Sequence, residues 1–213
     1  MKKYELTAEF IEKWGKKLFR IKALISFGSV EAGELGGYVE KEDNLAQDGD
    51  AWVYGDARVY GDAWVCGNAR VYGDAEVCGD ARVYGNAEVY GDAEVCGNAL
   101  VFGNARVCCD AEVYGNAKVC GDAEVYGNAD YLLIGRIGSR FSFTTFFKNK
   151  DKGITVSCGC FLGTIAEFRA KVTDTHGNNK HAKIYNLAAD MAELQILGEE
   201  YFDKLNTNKS EPF

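Results

Sequence analysis

The side chains best suited to hold a metal ion lie in the C-terminal part of the chain. Cys158 and Cys160 form a C-x-C motif, and His176 and His181 form an H-x4-H motif. Thiolates and imidazoles are zinc ligands, and zinc sites use this histidine spacing, but C-x-C is tighter than their usual cysteine spacing. The alternative is two cysteines on a strand and two histidines on helix surfaces. We favour this alternative and expect no bound metal.

The middle of the chain repeats every six residues from Gly49 to Asp130, as in G-D-A-R-V-Y. Glycine stays in frame to Gly127 and is interrupted only by Cys109, and alanine and valine keep the same frame. Alternation within Ala-x-Val puts alanine and valine on one face and the residue between them on the other. Because that residue is mostly charged, we expect the alanine and valine face to be the core. Each unit would be a short strand followed by a Gly-Asp or Gly-Asn corner.

A repeat this short predicts a solenoid, in which each unit is buried only against its neighbours. Three strands would close a triangular coil of about eighteen residues, so residues 49–132 would form about four to five coils. Residues 1–48 lack the repeat and predict a small β cap over the open strand edge of the first coil. Trp52 and Trp64 would pack beneath this cap or form a binding platform.

The repeat also carries a family resemblance. Starting from valine, the unit V-Y-G-D-A-R (Val53 to Arg58) resembles the hexapeptide repeat. That family forms left-handed parallel β-helices and includes trimeric acyltransferases. The resemblance therefore implies a mainly β fold, a left-handed parallel β-helix and a homotrimer. The flanking motifs L-G-G-Y-V-E (35–40) and S-C-G-C-F-L-G-T (157–164) resemble uncharacterised hexapeptide proteins of bacteria and phages. They imply a phage or prophage origin and a host protein or small ligand as partner.

The chemistry that hexapeptide acyltransferases use is missing from the repeats. Those enzymes typically have a histidine near a coil and a loop that walls the acceptor pocket, but the repeats contain neither histidine nor insertion. A general base is therefore absent where the family places it. We expect a non-catalytic scaffold or interaction protein without a cofactor. The alternative is an acyltransferase that binds acetyl-CoA or another acyl-CoA along a neighbouring subunit's solenoid and uses His176 as its base.

Stacked coils predict vertical columns of charge. One column alternates in sign and contains Arg70, Glu88, Arg106 and Glu124. Another is acidic below Arg58 and ends at Asp130. We name as the acidic edge its glutamates together with the neighbouring corner aspartates: Asp74, Glu76, Asp92, Glu94, Asp110 and Glu112. Like charges ~4.8 Å apart repel by about 1 kcal/mol in water. The acidic edge therefore either splays its carboxylates into solvent or binds a cation or a basic partner.

The residue after valine predicts three further columns: Tyr54, Tyr72, Tyr90, Cys108 and Tyr126; Tyr60, Cys78, Cys96 and Tyr114; and Cys66, Tyr84, Phe102 and Cys120. The tyrosines would stack on one another for stability or form a protein interface, here that of the trimer. Cys78 and Cys96 would be within disulfide range. Eight cysteines without a secretory signal indicate a reducing cytoplasm, however, so we expect thiols.

Residues 133–206 predict a C-terminal α+β module with a ββαα order, followed by a loose tail at 207–213. Its strands are expected at 141–147 and 154–161. The capping box from Thr164 to Glu167 predicts a helix that stops at Gly177. A second helix is expected at about 179–205, with an apolar stripe formed by Ile184, Leu187, Ala188, Met191 and Leu194.

Composition excludes some partners. A formal net charge of −8 argues against binding to duplex DNA, which requires a basic surface. The N-terminus lacks the apolar run of a signal peptide, and no stretch approaches a membrane span. We therefore expect a cytoplasmic protein that contacts neither DNA nor membrane.

Overall fold

The computed structural model describes residues 2–198, and the chain divides into two compact units. The first, the solenoid unit, consists of Met1–Asp122 and Tyr126–Asn128. The second, the C-terminal unit, consists of Ala123–Val125 and Ala129–Phe213. In the described part of the chain, no helix has the length and apolarity that crossing a membrane requires.

The solenoid unit begins with a three-stranded antiparallel cap. Its strands are β1 (Tyr4–Lys13), β2 (Lys16–Ala23) and β3 (Leu35–Val39). The middle strand, β2, pairs with both β1 and β3. Thirteen two-residue strands then follow at a constant spacing of six residues. They are β4 (Trp52–Val53), β5 (Arg58–Val59), β6 (Trp64–Val65), β7 (Arg70–Val71), β8 (Glu76–Val77), β9 (Arg82–Val83), β10 (Glu88–Val89), β11 (Glu94–Val95), β12 (Leu100–Val101), β13 (Arg106–Val107), β14 (Glu112–Val113), β15 (Lys118–Val119) and β16 (Glu124–Val125).

Within the solenoid unit these strands form three parallel sheets, in the orders β4-β7-β10-β13, β5-β8-β11-β14 and β6-β9-β12-β15. Each strand pairs in register with the strand three units further along, so Val59 lies beside Val77 and Val77 beside Val95. The result is a mainly β parallel solenoid of about five turns, which confirms the predicted fold class. The left hand of the helix stays a prediction.

The repeat alanines and valines form the solenoid core. Every repeat valine from Val53 to Val119 is fully buried, and the alanines from Ala51 to Ala117 are at most 1% exposed. Burying one valine contributes roughly 1.5–3 kcal/mol before conformational entropy is subtracted. The alternation in the sequence therefore predicted the core face correctly.

Glycine corners let the coils stack closely. Gly73 has a φ of +74°, and a Cβ at this position would lie 2.9 Å from the backbone nitrogen of Gly91. The neighbouring Asp74 N–H donates to the Gly91 carbonyl at 2.9 Å, so the hydrogen-bond ladder continues around the corner. Cys109 occupies a glycine position with a φ of +61°. Left-handed backbone costs a non-glycine residue roughly 1–2 kcal/mol.

The cap supplies hydrogen-bond donors to the first coil. Along the solenoid many N–H groups donate to a carbonyl of the following coil, as from Arg58 to Ala75, so the matching carbonyls of the first coil have no donor from a coil before it. The backbone of β3 and the segment after it donate instead. Tyr38 N–H reaches the Ala57 carbonyl at 2.9 Å, and Ala46 N–H reaches the Val65 carbonyl at 2.9 Å.

Two buried side chains of the cap complete this pairing. Lys3, only 2% exposed, donates to the carbonyl of Ala51 at 2.9 Å, and Asn44 donates to that of Ala63 at 2.8 Å. Burial lowers the pKa of Lys3 from 10.5 to about 8, although nearby aspartates oppose the shift. Trp52 is fully buried beside them, with its ring edge-on to those of Tyr4 and Phe27.

The C-terminal unit is an antiparallel sheet with two helices. Its strands pair in chain order, β17 (Tyr131–Ile137), β18 (Ser142–Lys148), β19 (Ile154–Cys158) and β20 (Phe161–Thr164), and the helices are α1 (Ile165–His176) and α2 (Lys180–Leu197). The predicted capping box is confirmed: Glu167 N–H donates to the Thr164 hydroxyl, and Thr164 N–H donates to the Glu167 carboxylate. The predicted stop at Gly177 is also confirmed.

Two predictions for this unit are wrong. The strand expected at 154–161 is two strands, because Gly159, with a φ of +63°, and Cys160 form a tight hairpin turn between Cys158 and Phe161.

The apolar stripe of α2 was also misassigned. Ala188 is buried, but the large residues of that stripe are exposed: Ile184 by 38%, Leu187 by 63%, Met191 by 57% and Leu194 by 42%. The buried face instead consists largely of Ala182, Ala188, Ala189 and Ala192 with Tyr185 and Ile196. Small side chains allow the helix to lie close to α1 and the sheet. The expected extension of α2 to residue 205 and the tail at 207–213 lie outside the described residues.

We predict that Gly73→Ala destabilises the protein more than Gly55→Ala. Both glycines have positive φ, so each substitution introduces roughly 1 kcal/mol of backbone strain. A Cβ at Gly73 also collides with Gly91, whereas the nearest atom to a Cβ at Gly55 is 3.9 Å away. We expect losses of roughly 1 kcal/mol for Gly55→Ala and at least 2 kcal/mol for Gly73→Ala in chemical denaturation. Equal losses would show that contact between corners is unimportant.

We also predict a pH-dependent effect of Lys3→Met. The folded pKa of Lys3 lies below the unfolded value, so between pH 8 and 10.5 the unfolded chain binds more protons and the free energy of unfolding rises with pH. Methionine cannot titrate or donate. The stability deficit of the variant, about 1–3 kcal/mol at pH 7 from the unpaired carbonyl, should therefore grow between pH 8 and 10. Urea denaturation of both proteins at pH 7 and 10 measures this change, and a deficit that stays constant would contradict it.

Candidate functional site

The cap neutralises the first rung of the acidic edge. Glu76 is only 9% exposed. Its carboxylate accepts hydrogen bonds from Lys13 of the cap, from Arg58 at 3.2 Å and from Tyr60 at 3.0 Å. Burial would raise the pKa of Glu76, but the bonds from Lys13 and Tyr60 and the charge of Arg58 outweigh it and hold the pKa below its ordinary value. Glu76 therefore ties the cap to the solenoid.

The remainder of the acidic edge is more open. Glu94 is half-buried and accepts a hydrogen bond from the Tyr114 hydroxyl. Asp74 lies 3.9 Å from Arg58. The other members, Asp92, Asp110 and Glu112, are exposed. The negative surface that a partner can reach thus lies on the later coils, away from the cap.

A second surface pairs its charges internally. We name Arg70, Glu88 and Arg106, on β7, β10 and β13, the ladder face. Glu88 lies 3.9 Å from Arg70 and 3.7 Å from Arg106, which confirms the predicted alternation for these three residues. At a neighbouring corner, side-chain hydrogen bonds of 3.0 to 3.1 Å form a second ladder that was not predicted from the sequence. It links Asn68, Asn86, Asn104 and Asp122. The sequence signal for this ladder is an asparagine at every third Gly-Asp or Gly-Asn corner.

The columns after valine stack as the register requires. The Tyr72 and Tyr90 rings are parallel with centroids 4.7 Å apart, and Tyr54 bonds Ser29 of the cap segment at 3.2 Å. The expectation of thiols at Cys78 and Cys96 is wrong, because the two cysteines form a disulfide with a Cα–Cα distance of 4.6 Å. Cys78 and Cys96 lie close together because they follow the paired strands β8 and β11. The other six cysteines form no disulfide.

The third surface, the cationic face, consists of the outward residues of β6, β9, β12 and β15: Trp64, Arg82, Leu100 and Lys118. Trp64 is 41% exposed, and the side chain of Arg82 is exposed between Trp64 and Leu100 in the sheet. Tyr84 and Phe102 stack beside this face with centroids 4.9 Å apart. In residues 2–198 no carboxylate forms an ion pair with Arg82. These four residues occur every eighteen positions in the sequence, so the repeat spacing was enough to predict that they share one face.

The four candidate zinc ligands lie in the C-terminal unit. Cys158 and Cys160 flank the hairpin turn, and the rings of His176 and His181 lie 5.8 Å apart across the break between the helices. Cys158, Cys160 and His176 line one cleft, and His181 is outside it. Among residues 2–198, no three His, Cys, Asp or Glu side chains are grouped so that they could hold a metal ion.

The fold makes this chain a parallel β-solenoid built from six-residue repeats. A family model described as the YdcK beta solenoid repeat matches residues 51–67 and 63–79, which carry β4 to β8. A comparison with curated proteins finds no match to the chain.

Proposed function

We propose that the protein is a non-catalytic interaction scaffold that assembles as a homotrimer and presents a rigid solenoid to a protein or small-ligand partner. The observation that carries this proposal is the unbroken spacing of β4 to β15, from which no segment is looped out. Without such a loop, and without histidine in the repeats, the solenoid lacks the pocket wall and the histidine base that hexapeptide acyltransferases typically use.

Charge complementarity supports the trimer. A cyclic trimer uses a heterologous interface, in which one patch of each subunit contacts a different patch of the next. The solenoid unit carries two such patches, the cationic face and the open part of the acidic edge. Trp64 and Leu100 would supply the apolar centre of the interface, and Arg82 would pair with a carboxylate of the neighbour. The ladder face is already paired within the chain and stays available to solvent.

Two features of the sequence, the flanking motifs and the cysteines, bear on the origin and location of the protein. The resemblance of residues 35–40 and 157–164 to bacterial and phage hexapeptide proteins supports a phage or prophage origin and a host partner. Six cysteines outside any disulfide favour a cytoplasmic location, although the Cys78–Cys96 disulfide is unusual there.

We predict that Arg82→Glu dissociates the trimer. The new carboxylate would face the acidic edge of the neighbour, and like charges at an interface cost several kcal/mol. Lys22→Glu is the matched control, because it makes the same charge change at an exposed position of β2 in the cap. Light scattering should give a trimer for the unmodified chain and for Lys22→Glu, and a monomer for Arg82→Glu. A monomeric unmodified protein, or a trimeric Arg82→Glu variant, would refute the proposed interface.

We further predict that acetyl-CoA does not bind. Calorimetric titration of the full-length protein should give no saturable heat, and the melting temperature should not change with added acetyl-CoA. Micromolar affinity would instead favour the acyltransferase alternative. In that case His176→Ala should retain acetyl-CoA binding but lose acyl transfer, since His176 would be the base.

A further inference from the structure

A cleft of about 210 Å³ lies within the C-terminal unit. The β17–β18 turn, the β19–β20 hairpin and both helices contribute to its lining. Its floor is aromatic: Phe168 lies 5.7 Å from Phe161 and 5.7 Å from Tyr185 between ring centroids. A cavity of about 150 Å³ is enough to hold benzene. The cleft therefore has room for one ring and a small substituent.

The cleft carries several basic side chains. Arg140, Lys171 and His176 line it, and no carboxylate side chain does. This is notable in a chain with a net charge of −8. Lys171 already has an exposed partner, Asp174, at 3.2 Å. Arg140 forms no hydrogen bond or ion pair with any residue from 2 to 198, so its planar guanidinium is available for a carboxylate.

The inner polar groups of the cleft are fixed by contacts from several elements. Cys158 Sγ accepts a hydrogen bond from the fully buried Thr144 hydroxyl at 3.2 Å. The Tyr185 ring stacks on that of His176 with centroids 5.8 Å apart. Gly138 makes room for this phenol, since a Cβ there would lie 1.9 Å from the Tyr185 hydroxyl oxygen. These contacts set the shape of the cleft before any ligand enters.

We propose that this cleft binds a small organic monoanion, in which one carboxylate is attached to a flat apolar body. The carboxylate would bind Arg140, and the body would lie on Phe168 and Tyr185. A phosphate dianion fits less well. Phosphate sites gather backbone N–H donors at helix N-termini, whereas α1 lines this cleft up to its C-terminal residue His176. The negative end of the helix dipole there opposes a dianion more strongly than a monoanion.

The test compares four probes on the full-length protein by calorimetry. Benzoate carries both the charge and the ring, benzyl alcohol only the ring, acetate only the charge, and inorganic phosphate a dianion. We expect benzoate to bind with a dissociation constant of about 1 mM or below and the other three to bind at least about tenfold more weakly.

Two exposed arginines provide the matched variants. Arg140→Ala should weaken benzoate binding about tenfold and leave benzyl alcohol unchanged, because only the charged contact is lost. Arg136→Ala removes the same charge from β17 outside the cleft and should leave benzoate binding unchanged. Both side chains are exposed, so neither variant should lose its fold.

Alkylation locates the bound probe. Benzoate should slow the reaction of iodoacetamide with Cys160, which is exposed at the cleft, but not with Cys109, which is exposed in the solenoid unit. Peptide mass spectrometry measures both rates. The proposal is overturned if benzoate shows no saturable binding, if Arg140→Ala binds benzoate as well as the unmodified protein, if phosphate binds more tightly, or if Cys160 is not protected.

Discussion

The parallel hydrogen-bond ladder is the constraint on which the solenoid depends. Many N–H groups of each coil donate to carbonyls of the next, so the matching carbonyls of the first coil have no donor from a coil before it. A buried carbonyl without a partner costs about 1–3 kcal/mol. This explains why the cap is built from donors of different kinds: the backbone of Tyr38 and Ala46, the ammonium of Lys3 and the amide of Asn44. A simple apolar lid would leave those carbonyls unpaired.

The same register determines the surface. Each residue lies beside the residue three repeat units further along the chain. Each outward side chain therefore lies beside the outward side chains of the coils before and after it, which in several columns are of the same type or of opposite charge. Tyr72 stacks on Tyr90, Asn68 bonds Asn86, and Glu88 lies between two arginines. Such columns use up their own hydrogen bonds and charges. The cationic face differs, because Trp64, Arg82 and Leu100 do not complement one another, so Arg82 and the exposed Trp64 can still bind a partner.

The sequence was sufficient where structure is local or periodic. The six-residue frame predicted the strands, their register and the buried valines, and the pair Thr164 and Glu167 predicted the start of α1. Prediction from the sequence failed where the contacts join side chains that are far apart in the chain. Nothing near Lys3 in the chain indicates that it reaches Ala51, and hydrophobicity favoured the large residues of α2 over the alanines that in fact permit close packing. The pairing at Cys78 was misjudged because the inferred compartment outweighed the geometry, which had placed Cys96 within reach.

Periodicity also limits what the solenoid can do. A repeating surface presents similar groups at ~4.8 Å intervals, which suits an extended partner or a second copy of the chain. Recognition of one small molecule needs different groups that converge on one point, and these must come from separate elements. The C-terminal cleft meets this condition, since Ser142, Cys158, His176 and Tyr185 come from β18, β19, α1 and α2. Selectivity for a small ligand is therefore expected in the part of the chain where the repeat has ended.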